Sequence, residues 1–139
     1  ASTLEMIVAQ RLVRKICEKC RISHIVTKNE LEEKVPGISD YIEEDEVTLY
    51  RGQGCENCNQ SGFSGRSAIF EIIEISDKMQ DLILSNPSSN KIWELAKEQG
   101  SRTLFEDGIE KVRNGITTFE ELSRVASLPK KAKNKQTII

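Results

Sequence analysis

Four cysteines stand in two C-x-x-C pairs, Cys17-Glu18-Lys19-Cys20 and Cys55-Glu56-Asn57-Cys58, with 34 residues between them. A C-x-x-C turn lets two thiolates grip one ion, and two such turns complete a tetrahedral set of four at about 2.3 Å. Thiolates are soft donors that select zinc or iron over magnesium or calcium. Arg14, Lys15, Lys19 and Arg21 flank the first pair. They favour the thiolate form and offset a dianionic zinc–tetrathiolate centre. Gly54 and Gly62 let the backbone curl around the sulfurs. The reading is a structural zinc ion held by Cys17, Cys20, Cys55 and Cys58, with no Cys left over. Four protein ligands leave no open position, so a catalytic zinc is not expected.

Other thiol chemistries use the same residues. Two disulfides would require an oxidising compartment. A redox C-x-x-C sits beside a thioredoxin-like βαβ pattern, which is absent. An iron–sulfur cluster takes four thiolates too, and spacing does not separate it from zinc. His24 is the single histidine and reads as an ordinary surface or turn residue beside a complete cysteine set. No G-x-x-x-x-G-K-[ST] occurs, and Gly52-x-Gly54 is followed by Asn57 where a dinucleotide fingerprint needs Gly. No Ser/His/Asp or Cys/His set is present, and Glu71 and Glu74 read as structural acids. The expectation is no catalytic and no cofactor-binding residue in this stretch.

The elements that must position the cysteines follow from periodicity and caps. Ser2-Thr3-Leu4-Glu5 reads as a capping box, and Leu4, Ile7, Val8, Leu12 and Ile16 recur at helical spacing, predicting a helix over residues 1–16. Thr27-Lys28-Asn29-Glu30 opens a short helix that ends near Val35, before Pro36-Gly37. Val47–Tyr50 and Ser67–Ile75 are rich in β-formers and read as strands, expected to pair with each other as a hairpin across the second cysteine knuckle. From Ser76 the period turns helical. Met79, Leu82 and Ile83 mark one helix, and Ile92, Leu95 and Ala96 a second ended by Gly100. Thr103–Glu106 and Thr118–Glu121 are capping boxes for two more. The predicted class is α+β, a small zinc-knuckle β-hairpin followed by a helical bundle. The divisions are 1–16 (leading helix), 17–75 (metal-binding subdomain), 76–126 (helical subdomain) and 127–139 (basic tail, expected to be disordered).

Composition bounds the function. The 139 residues carry 20 Lys+Arg against 22 Asp+Glu. The apolar share is 37%, below the usual value of about 45–50%, so a staple such as a metal suits a core this thin. No apolar run approaches the roughly 20 residues of a membrane-spanning helix. Lys130, Lys131, Lys133 and Lys135 lie in the tail, and without them 16 basic residues face 22 acidic ones. An acidic body does not suit non-specific nucleic-acid binding. The tail leaves room for modest contact with a membrane surface. Starting with Ala1 rather than Met and passing at once into a helical pattern, the sequence reads as a piece of a longer polypeptide.

Several runs carry a resemblance. Ala9-Gln10-Arg11-Leu12-Val13-Arg14-Lys15-Ile16-Cys17 resembles the segment before the metal-binding subdomain of bacterial secretion ATPases. Tyr50-Arg51-Gly52-Gln53-Gly54-Cys55-Glu56-Asn57-Cys58 is similar to that family's second cysteine pair. Gly62-Phe63-Ser64-Gly65-Arg66-Ser67-Ala68-Ile69-Phe70-Glu71 resembles its G-Y/F-x-G-R-x-G/A-I-Y/F-E run. Gln99–Gly108 and Gly115–Glu121 resemble two further signatures, in matching order over residues 1–126. Glu18 stands where the family often has Pro, and Pro129–Ile139 matches no family pattern.

The resemblance implies the C-terminal end of a cytoplasmic, hexameric P-loop ATPase that powers type II secretion or type IV pilus assembly, peripheral to the inner membrane. ATP and Mg²⁺ would bind upstream in the parent protein, so this stretch would be inactive alone. Its implied partners are other subunits of the ring and inner-membrane platform proteins, with no nucleic acid. Arg11, Arg14, Arg66 and Arg102 are candidate inter-subunit or nucleotide-proximal charges, against which stand ordinary local salt bridges. The competing function is a free-standing zinc-ribbon adaptor for protein or nucleic acid, and a thiol redox protein is the third reading.

Overall fold

The computed structural model describes residues 3–128. Ser2 of the first expected cap and the tail from Pro129 lie outside them. The fold is α+β. Strand β1 (Met6–Ile16) pairs antiparallel with β4 (Phe63–Glu74), from Met6↔Glu74 to Ile16↔Phe63. Strand β2 (Arg21–Thr27) pairs antiparallel with β3 (Glu46–Gly52). Helix α1 (Lys28–Lys34) and a single 3-10 turn, Ile38–Asp40, connect β2 to β3. Helices α2 (Asp77–Leu84), α3 (Ser89–Glu98), α4 (Leu104–Arg113) and α5 (Phe119–Val125) follow β4.

Two expectations are corrected. The region read as a helix over 1–16 contains β1 instead. Its apolar residues fit both periods, because Met6, Val8 and Leu12 share one strand face while Ile7 and Val13 share the other. Ten residues paired to β4 decide between them, Lys15 lying at a register shift. Strands β3 and β4 do not form a hairpin with each other. Each instead pairs with the strand on the other side of the first cysteine turn, so the chain forms two nested ribbons. Local β-propensity locates strands, but it carries no information on which distant strand will supply the ladder.

The helix signals behave as local chemistry should. Thr27 and Glu30 complete a capping box, as do Thr103 and Glu106. Thr118 accepts from the Glu121 backbone N–H at 3.3 Å, but the Glu121 carboxylate turns away to Arg14. Glu71 accepts from the Leu104 backbone N–H at 3.2 Å, satisfying an otherwise orphan donor in the first turn of α4.

Buried side chains form two groups. The larger joins Val13 and Ile69 of the first ribbon, Val26, Val47 and Leu49 of the second, Leu31 and Ile38, and Phe105, Val112, Phe119 and Leu122 of α4 and α5. The smaller comprises Ile75, Met79 and Ala96, with Leu82, Ile83, Ile92 and Trp93 against them. Helices α4 and α5 therefore share a core with the strands, while α2 and α3 pack together on the end of β4.

Candidate metal centre

The four cysteines occupy the crossing between the two ribbons. The first pair fills the turn from β1 to β2, and the second begins the connection from β3 to β4, where Glu56–Cys58 forms a 3-10 turn. Backbone hydrogen bonds hold the two turns against each other. The Cys17 N–H donates to Gly62 O at 2.9 Å, and the Gln53 N–H to Cys20 O at 3.0 Å. Gly52 and Gly62 meet backbone to backbone, and a Cβ on Gly52 would run into Gly62. Gly54 and Gly62 have φ of 94° and 76°, left-handed values that favour glycine. The Ile16 N–H donates to Ile116 O at 2.8 Å, which fastens the α4–α5 loop beside the first cysteine turn.

The sulfurs converge. Cys17 and Cys55 Sγ are 3.9 Å apart, Cys20 and Cys58 3.9 Å, and Cys55 and Cys58 3.7 Å. All four lie within 4.8 Å of one another. A tetrahedron with Zn–S bonds of about 2.3 Å places its sulfurs about 3.8 Å apart, so the cage fits one tetrahedral ion. Disulfide partners would lie at about 2.05 Å, and all four thiols are free. A cluster of several irons needs room for bridging sulfides between the metals, more than such a cage offers.

Donors around the sulfurs favour the thiolate. The Gly54 N–H points at Cys20 Sγ (3.3 Å), and those of Cys55 and Gly62 at Cys58 Sγ (3.2 and 3.3 Å). Asn57 Nδ2 donates to Cys17 Sγ at 3.5 Å. Burial pushes the Cys58 thiol up, but its two backbone N–H donors outweigh that and hold it at about 6. Burial also opposes ionisation of Cys17, where Asn57 and a backbone N–H prevail and the thiol falls below its usual value. Cys20 is pushed up to about 11, by burial first and then by its neighbouring thiols, with the Gly54 N–H opposing. The Gly54, Cys55 and Gly62 N–H groups and the Asn57 carboxamide are donors of the kind that suit charged, metal-bound sulfurs.

The other sequence candidates lie apart from this centre or beside it. His24 sits half-buried on β2 and is not among the four converging residues. Arg14 pairs with Glu121 at 2.6 Å and stacks over Phe63, its guanidinium carbon 4.2 Å from the ring centroid. Arg102 pairs with Glu110 at 2.6 Å, and Arg11 donates to Gln10 O. Arg14 and Arg66 face each other across the β1–β4 register. Sequence reading missed Asn57 as a sulfur donor and Glu121 as a buried anchor. Asn57 had a signal, its place inside a C-x-x-C, whereas the partner of Glu121 is 107 residues away.

The family described as "Type II/IV secretion system protein" matches residues 1–124. A Thermus thermophilus protein named "Type IV pilus assembly ATPase PilB" is 38% identical over 116 residues, covering 84% of this chain and 13% of the relative. The "Protein transport protein HofB homolog" of Escherichia coli is 37% identical over 129 residues, covering 93% and 26%. The "Type II secretion system ATPase E" of Vibrio cholerae is 34% identical over 125 residues, covering 90% and 24%. The chain thus spans about a quarter or less of the length of these relatives. With the family matched over nearly its whole length, the chain belongs to the type II/IV secretion system protein family.

Proposed function

We propose that Cys17, Cys20, Cys55 and Cys58 hold one structural zinc ion, and that the chain serves as the C-terminal part of a ring-forming ATPase driving type II secretion or type IV pilus assembly. The carrying observation is the sulfur cage, whose spacing suits one tetrahedral ion. When bound, zinc supplies charge neutralisation and a cross-link between the two ribbons. The residues of this chain do the rest. The backbone N–H groups of Gly54, Cys55 and Gly62 and the Asn57 carboxamide orient the sulfurs. The Gly52–Gly62 contact holds the two cysteine turns in register.

Secretion and pilus roles come from the names of the relatives, two of which are called ATPases. No phosphate-cradling loop occurs in these 139 residues, so ATP and Mg²⁺ chemistry is assigned to the remainder of a longer parent. This stretch then acts mechanically, as a metal-braced body moved by the ATPase core against neighbouring subunits and an inner-membrane platform on the cytoplasmic side. No helix among the described residues is long and apolar enough to cross a membrane, consistent with a peripheral position. The test is to fuse this chain to a family ATPase core and measure ring assembly and ATP turnover with intact and Cys→Ser cages. Loss of assembly in the cage variants supports the bracing role, and unaltered assembly and turnover would refute it.

A further inference from the structure

Three arginines gather at the cysteine end of the first ribbon, around a cavity of about 520 Å³ lined by Leu12, Val13, Arg14, Arg66 and Arg124. Its size lies within the range of small-ligand sites, about 300–1,000 Å³. The charged groups are open to solvent: the Arg14 and Arg124 side chains are 52% and 59% exposed, and Arg66 is exposed too. Glu121 is the acid that serves them, and it is already committed. It accepts from the Arg14 backbone N–H at 3.0 Å, from the Arg14 guanidinium at 2.6 Å and from Arg124 at 3.1 Å. Three guanidinium charges therefore meet one carboxylate, which leaves a surplus of two. Arg14 and Arg124 each give Glu121 a single side-chain bond, so most of their N–H donors remain available.

Arg66 is the uncompensated member. Its side chain enters no hydrogen bond or ion pair among the described residues. It also stands directly across from Arg14 in the β1–β4 register. The Arg14 backbone N–H goes to Glu121, and its carbonyl accepts from Thr117 Oγ1. The Arg14–Arg66 pair is thus a non-hydrogen-bonded one, the kind in which facing side chains lie closest. Like charges directly opposite destabilise a sheet, and an anion between the two guanidiniums would relieve that repulsion. Arg14 is fixed in advance, pinned by Glu121 and stacked over Phe63, so it gives up little freedom on binding. We propose that Arg14, Arg66 and Arg124 form a binding site for the phosphate group of a small phosphate monoester. The surplus of two positive charges matches such a group, which is close to a dianion at neutral pH. Its three terminal oxygens can take donors from two strands and a helix together, whereas a carboxylate offers two in one plane. Leu12, partly exposed on the same cavity, supplies an apolar flank for the organic part. The site is built from β1, β4 and α5 and does not depend on the metal assignment.

Titration of the whole chain with phenyl phosphate tests this, followed by the arginine Nε–Hε and backbone amide NMR signals at constant ionic strength. Benzoate is the monoanionic comparison. Saturable shifts are expected at Arg14, Arg66 and Arg124 and at the Leu12 and Ser67 amides, with phenyl phosphate bound about fivefold or more tightly than benzoate. Arg66→Ala should bind phenyl phosphate about tenfold more weakly. Without ligand it should unfold at the same temperature as the parent or above, because Arg66 has no partner to lose and a like charge to shed. A merely structural arginine would behave in the opposite way, lowering the unfolding temperature when removed and leaving the phosphate response intact. No saturable shift up to about 10 mM, shifts confined to the cysteine turns, equal binding of benzoate, or undiminished binding by Arg66→Ala would each overturn the proposal. So would Arg66-dependent binding to phosphatidic acid vesicles with no response to phenyl phosphate, which would place the phosphate on a lipid surface instead.

Discussion

Asn57 is the one side chain outside the cysteine set that reaches a cysteine sulfur among the described residues, donating to Cys17 Sγ. Groups that hydrogen-bond a ligand atom fix its orientation, and their removal typically costs about 10–100-fold in metal affinity. Asn57→Ala should therefore weaken zinc binding by about that factor, read by competition with a chromophoric chelator while the apo-state circular dichroism stays unchanged. Glu121 is the second such residue. Its side chain is only 4% exposed, and it accepts from the Arg14 backbone N–H, the Arg14 guanidinium and Arg124. The Arg14 hydrogen bond, foremost, holds its carboxyl down at about 2. A carboxylate with a depressed folded-state pKa contributes stability that is complete above its unfolded value and lost as pH falls through the folded one. The window here runs from about pH 4.5 down to about 2. Glu121→Gln should cost about 1–2 kcal/mol at neutral pH, because charge-assisted bonds are lost while the half-exposed Arg14 guanidinium is resolvated. It should also flatten the acid limb of a urea-denaturation series across that window.

Elements in this chain are fixed by two kinds of information. The helices announce themselves through neighbours in sequence: Thr103 and Glu106 are three residues apart, and their reciprocal bonds form wherever that segment turns helical. All four helices after β4 were legible from local signals, α4 and α5 from their caps and α2 and α3 from apolar spacing. Strand β1 was not, since its apolar residues satisfy both a helical and a strand period until β4 arrives from more than 45 residues away. The contact between α4 and α5 offers a test at this scale. A Cβ added to Gly108 would run into the Leu122 side chain, which is fully buried. Gly108→Ala should destabilise by about 1–3 kcal/mol through overpacking, although alanine is the better helix former by about 1 kcal/mol. A stabilised variant in thermal unfolding would mean that α5 is not seated on α4 as described.

At the scale of the whole molecule, the cysteine crossing is where two ribbons and the α4–α5 loop meet. The spacing of the pairs made the four converging cysteines legible in the sequence. The junction they clamp was not, because it depends on Cys17 bonding to Gly62 and Ile16 to Ile116. Chelation of the metal should loosen β2, β3, α4 and α5 together, since these share one core. Protection should persist longest in α2 and α3, which pack on Ile75 and each other. Hydrogen exchange before and after chelation reads this directly. Retained protection throughout the helices from 76 to 126 would instead support a division at residue 76.

The proposed zinc ion, held by four thiolates, is what would tie the two ribbons together. Elemental analysis of the purified chain, paired with thiol titration under native conditions, tests it most directly. We predict one zinc per chain, thiols that react only after the metal is displaced, and loss of stoichiometric zinc in Cys55→Ser. A metal-free chain with four reactive thiols, a chain with two disulfides, or one loaded with iron instead of zinc would contradict it.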